Sequence, residues 1–112
     1  MKKFFESYRP IPSLLHGDLW SGNAGFTKEG PVLFDPAVYY GDHEADLAMT
    51  ELFGGFPGEF YSAYERELPI DPGYETRKHL YHLYHLLNHL NLFGSGYLGQ
   101  VKAALRLLLQ SL

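Results

Sequence analysis

The chain contains no cysteine. Disulfides and thiol nucleophiles are therefore excluded within these residues, and a reducing compartment suits them. Runs of like charge and basic stripes are also missing, and the net charge is −4, so neither nucleic acid nor an anionic membrane is an expected partner. No apolar stretch follows Met1-Lys2-Lys3-Phe4-Phe5, because Glu6, Ser7, Tyr8 and Arg9 come at once. That is the pattern of neither a signal peptide nor a membrane span, and a cytoplasmic location is expected. Glycine-rich phosphate loops are absent as well. Neither G-x-G-x-x-G nor G-x-x-x-x-G-K-[ST] occurs, and Gly54-Gly55 and Gly94-Ser95-Gly96 lack the spacing and a preceding strand. Of the lysines, Lys2, Lys3, Lys28, Lys78 and Lys102, none lies in a buried strand pattern. Repeats, linkers and low-complexity tracts are missing too.

What is present is a globular composition carrying one dense motif. The hydrophobic fraction of 46% and aromatic fraction of 16% suffice for a core, and 112 residues make one domain at most. Residues His16 to Asn23 read H-G-D-L-W-S-G-N, and Phe34-Asp35-Pro36 follows further on. Asp18 stands two after the His and Asn23 five after the Asp, the spacing of a kinase catalytic loop H-x-D-L-x-x-x-N. Phosphoryl transfer needs one carboxylate to orient and deprotonate the acceptor hydroxyl, and oxygen ligands for magnesium ions that neutralise the phosphates. Asp18 suits the first task, and Asn23 with Asp35 the second.

Gly17 stands where protein kinases carry Arg, and Asp35-Pro36-Ala37 where they carry Asp-Phe-Gly. Both departures point to small-molecule kinases that resemble aminoglycoside and choline kinases. Three strings in particular resemble the fructosamine kinase (ketosamine-3-kinase) family: Leu14–Asn23, L-L-H-G-D-L-W-S-G-N; Phe34–Met49, F-D-P-A-V-Y-Y-G-D-H-E-A-D-L-A-M; and Leu80–Gly94, L-Y-H-L-Y-H-L-L-N-H-L-N-L-F-G. The resemblance runs from about Pro10 to the end of the chain and covers only the C-terminal part of a family member. It implies ATP-dependent phosphorylation of the 3-hydroxyl of a ketosamine carried on lysine or another amine, with Mg2+. It also implies an α+β, mainly helical fold, residues 1–112 forming the C-terminal lobe of a protein-kinase-like enzyme with a short β-hairpin at the catalytic loop. The N-terminal ATP-holding lobe, with its glycine-rich loop, strand lysine and helix glutamate, is not found, so these residues alone are expected to be inactive.

Local signals place the motif. Residues 2–8 read as the end of a helix stopped by Pro10 and Pro12. Residues 13–16 read as a short strand, and residues 23–34 as a hairpin turning near Glu29-Gly30, which would bring Asn23 close to Asp35. A helix capped near Asp42 is expected to run to about Phe53 and end at Gly54-Gly55. A second is expected from Pro57 to Leu68, with Phe60, Tyr61 and Tyr64 at helical spacing, and a third from about Pro72 to Phe93. The last would carry Val101, Ala104, Leu105, Leu108 and Leu112 on one face.

Each candidate residue has a competing structural use. His16 is read as a brace for the loop rather than a base. Asp46 is read as a helix-start anchor accepting hydrogen bonds from the catalytic-loop backbone rather than as a third metal ligand. His82, His85 and His89 lie within about 60° of one another on a helix, which allows either zinc or a packed face of hydrogen-bonded imidazoles; the packed face is preferred. Trp20 and His89 are read as walls of a sugar pocket, since an indole offers a flat face to the C–H side of a sugar. Their alternative is ordinary core packing. Two other functions compete: an aminoglycoside- or choline-type kinase lobe, and a non-catalytic remnant. A homo-oligomer is expected through apolar surface left bare by a missing lobe.

Overall fold

Prolines and acidic caps decide where the elements begin and end. Pro10 and Pro12 keep the chain extended ahead of the first strand. The computed structural model describes residues 2–111, which pack as two compact units, one of residues 10–71 and one of residues 2–9 with 72–111.

In the first unit, β1 (Ser13–Leu15) pairs antiparallel with β4 (Tyr39–Gly41), Leu14 opposite Tyr40. β2 (Ala24–Thr27) pairs antiparallel with β3 (Gly30–Leu33), Ala24 opposite Leu33. The Thr27 hydroxyl closes the intervening turn, donating to the Gly30 carbonyl at 3.2 Å and accepting from the Glu29 amide at 3.2 Å. β1 falls where a short strand was expected, but β4 and its pairing with β1 were not expected. Strands of three residues are too short for an alternating pattern to register.

Helix α1 (His43–Leu52) starts at Asp42, whose side chain accepts from the Glu44 amide at 3.0 Å. Glu44 and Asp46 put negative charge in its first turn, where the helix dipole favours it. Ala45, Leu47, Ala48, Met49 and Thr50 are all buried, as is Leu15 of β1. These residues form the centre of this unit, and the helix that carries most of them also holds the loop after β1 through Asp46. Helix α2 (Gly58–Glu67) buries no residue completely; its half-covered face carries Phe60, Tyr61 and Tyr64.

The second unit is built on α3 (Tyr74–Phe93) packed against α4 (Leu98–Ser111). In place of a helix end over residues 2–8, a single-turn helix spans Lys2–Phe5. Buried Arg77 donates to the Phe4 carbonyl at 3.0 Å, and its guanidinium lies 3.7 Å from the centroid of the Tyr8 ring. On α4, Val101, Ala104 and Leu108 are buried, but Leu105 is 43% exposed; Leu112 lies outside the described residues. The architecture is α+β and mainly helical, with small antiparallel sheets. No helix among the described residues is long and apolar enough to cross a membrane.

Candidate active site

The motif loop between β1 and β2 is held from three sides. From α1, the Asp46 carboxylate takes both leading amides, His16 N–H to Oδ2 at 2.7 Å and Gly17 N–H to Oδ1 at 3.0 Å. A carboxylate accepting two backbone donors fixes a short loop as firmly as a strand pairing would. From the segment after β3, the Ala37 amide donates to the His16 carbonyl at 2.8 Å. The third hold is the His16 ring. Its Nδ1 accepts from the Asp18 amide at 3.2 Å, and its Nε2 lies 2.8 Å from the Phe34 carbonyl. A carbonyl can only accept, so the proton sits on Nε2 and the ring is committed to holding the loop.

Gly17 explains itself in this setting. It adopts φ +89°, and a Cβ there would collide with the Ala37 carbonyl. The close approach that makes the Ala37–His16 hydrogen bond leaves no space for the Arg that protein kinases carry at this place.

Asp18 and Asn23 form one polar pair. The buried Asn23 amide donates from Nδ2 to the Asp18 carbonyl and to its carboxylate Oδ2, both at 3.0 Å. The donor end of the amide thus orients the carboxylate, and its Oδ1 is the end able to ligate a cation. Asp35 lies beyond β3. The Phe34 amide donates to the Asn23 carbonyl at 3.0 Å, so the ladder of β2 and β3 carries Asp35 back towards the loop. Asp35 is exposed and has φ +49°, alone among described non-glycine residues in taking positive φ. Such a conformation costs about 1 kcal/mol or more and collects at functional sites.

Trp20 extends from the turn between Asp18 and Asn23, half exposed, with Phe53 edge-on to its ring. His89 belongs to the other unit. Its Nδ1 donates to the His85 carbonyl one helical turn back at 2.8 Å, and its ring neighbours Phe93 and Tyr97 at 5.5 and 5.3 Å between centroids. The His79 and His82 rings sit edge-on at 6.1 Å, and His85 is buried. No cluster of three or more His, Cys, Asp or Glu suited to a metal is found among the described residues.

Two groups escaped sequence reasoning. Phe34 and Ala37 act through backbone atoms, which leave no side-chain signature. Tyr64 braces α1 from α2, its hydroxyl 2.8 Å from His43 Nδ1 with the rings stacked. Burial first, then the negative charges of Asp46, Asp42 and Glu44, push the Tyr64 hydroxyl up to about 12. The aromatic spacing of α2 was visible in the sequence; its partner was not.

Comparison with known proteins bears on this geometry. Residues 1–111 match the family model described as fructosamine kinase. A probable ketoamine kinase of Vibrio parahaemolyticus is 54% identical over 102 residues, covering 91% of this chain and 35% of that protein. The ketosamine-3-kinase of Mus musculus is 50% identical over 95 residues, 85% of this chain and 31% of that protein. Among solved structures, a Thermobifida fusca protein named as a candidate fructosamine-3-kinase superposes with TM-score 0.85 at 37% identity, covering 94% of this chain and 37% of that one. The chain thus spans about a third of the length of the relatives it matches.

Proposed function

The chain belongs to the fructosamine kinase family, and from that premise we propose that it is the C-terminal lobe of an enzyme transferring phosphate from ATP to a sugar hydroxyl of a ketosamine. The observation that carries the reading is the pair made by Asp18 and Asn23, in which one amide aims the carboxylate. Asp18 accepts the proton of the acceptor hydroxyl as that oxygen attacks the γ-phosphorus, while the bond from phosphorus to the β–γ bridging oxygen breaks and ADP leaves. His16 and Asp46 keep the loop still while this happens, so that the geometry costs nothing to assemble during reaction. Trp20 is a proposed sugar contact, and His89, on the other unit, is proposed as a separate one.

The residues also suit Mg2+. Asn23 offers a carbonyl oxygen and Asp35 a carboxylate held at a strained backbone angle, hard oxygen donors of the kind this ion takes alongside substrate phosphates. Magnesium, when bound, would neutralise charge on the β- and γ-phosphates. Because no glycine-rich phosphate loop occurs in the sequence, these residues alone are not expected to transfer phosphate. A cytoplasmic setting, reducing and rich in ATP, suits such a protein.

A chimera tests the reading. These residues replace the matching third of the Vibrio parahaemolyticus relative, and the product is assayed with ATP and fructosyl-lysine. Phosphorylated fructosyl-lysine is expected. Phosphorylation of an aminoglycoside or choline with fructosyl-lysine untouched would reject the ketosamine assignment.

A further inference from the structure

Trp20 is the one tryptophan of the chain, and its ring is seated with care. The backbone is pinned first: Trp20 N–H donates to the Asp18 carbonyl at 3.1 Å, and Asn23 N–H donates to the Trp20 carbonyl at 2.9 Å. The side chain then folds forward over Gly22. A Cβ at Gly22 would fall on Cη2 and Cζ2 of the indole and within 2.7 Å of Cζ3. Gly22 is not among the positive-φ glycines, so its backbone would accept another residue. The three atoms nearest to such a Cβ all belong to the indole, so with a larger residue at this position the ring would have to shift.

On another side, Phe53 meets the indole edge-on, with centroids 6.2 Å apart and planes at 77°. Phe53 is itself next to a fixed turn. Thr50 Oγ1 donates to the Leu47 carbonyl at 2.6 Å, so the Tyr61 hydroxyl donates to Thr50 at 3.0 Å and accepts from the Phe56 amide at 3.1 Å. This relay ties the end of α1, the turn after it and α2 together. The indole rests on a glycine and against the Phe53 ring, which follows this tied helix end, yet keeps 37% of its surface open. A core tryptophan would not be left so open, and a loose surface one would not need the seat.

We propose that Gly22 and Phe53 are positioning residues: they set the angle at which the Trp20 face meets the ketosamine. The inference rests on the reading of Trp20 as a sugar wall. Gly22 provides the space into which the ring lies down, and Phe53 stops it from turning. Neither touches the substrate.

The test uses the whole chain, whose tryptophan emission reports on Trp20 alone. Gly22→Ala and Phe53→Leu are compared with the parent by acrylamide quenching, by thermal melting, and by titration with fructosyl-lysine followed through Trp20 fluorescence. Gly22→Ala is melted again in a Trp20→Ala background. Both single variants should raise quenching and weaken fructosyl-lysine about fivefold to tenfold, the scale of one aromatic contact. The Tm loss caused by Gly22→Ala should shrink sharply once Trp20 is gone, because the clash goes with it. Phe53→Leu keeps apolar volume, so it reads positioning should Gly22→Ala fold poorly. A fluorescence response to fructosyl-lysine that neither variant alters, with a Gly22→Ala melting cost independent of Trp20, overturns this inference alone. Strong coupling with no response to fructosyl-lysine overturns the sugar reading beneath it.

Discussion

The roles proposed for Asp18, Asn23 and Asp35 were legible in the sequence because they rest on side chains at fixed separations. Their environments give them different expected sensitivities. Asn23 is buried and spends its amide on Asp18, so Asn23→Ala should lower stability by about 1–3 kcal/mol as well as weaken the use of magnesium-nucleotide in the chimera. Asp35 is exposed, and the contribution proposed for it is through charge. Asn tolerates the left-handed backbone found there, so Asp35→Asn should leave Tm unchanged while raising the magnesium needed for turnover. Equal magnesium dependence in the variant and parent would return Asp35 to the status of an ordinary turn residue. Gly17 is constrained by a collision rather than by chemistry. Gly17→Ala should melt early, by a margin that thermal denaturation would resolve readily, since Cβ and the Ala37 carbonyl cannot share the space. Only the bare presence of Gly17 was legible; the oxygen it avoids comes from a segment distant in sequence.

At the level of elements, α1 matters most. Its start at Asp42 and its end before Gly54-Gly55 were legible because caps and glycine stops are local signals. β4 was not, being three residues long and specified by its partner β1. Leu105 shares the expected face yet is 43% exposed: periodicity marks a helix face, but how wide a face is covered depends on the neighbouring helix. The brace between α1 and α2 predicts a pH effect. Tyr64 is raised from its ordinary 10 to about 12. The folded state thus favours the protonated phenol, and that contribution is complete below pH 10 and lost as pH rises through about 12. The group is only about half buried, so the effect is modest. Stability measured across this range should decline in the parent, and Tyr64→Phe should flatten part of that decline. An identical alkaline decline in both proteins would remove Tyr64 from the account.

For the whole molecule, many large apolar side chains are uncovered. Phe26 is 88% exposed, Ile11 78% and Tyr40 73%, all in the unit of residues 10–71. Surface of this kind invites association, so the chain on its own is expected to form dimers or larger species. Light scattering at high concentration would show this, and a sharp monomer mass would contradict it. A mainly helical α+β chain was legible from helical spacing, caps and turn signals together with the family resemblance. The division into two compact units was not, because residues 2–9 join residues 72–111 across most of the sequence, and such pairing has no local signature.

The central claim is that Asp18 takes the acceptor proton in a loop already held in place. Asp18→Asn in the chimera tests it most directly, with turnover and the KM for ATP measured on fructosyl-lysine. The substitution keeps size and can still meet Asn23, while removing the basic oxygen. Turnover should fall by about 10²–10⁴-fold with the KM for ATP nearly unchanged. Full turnover in Asp18→Asn would contradict the account.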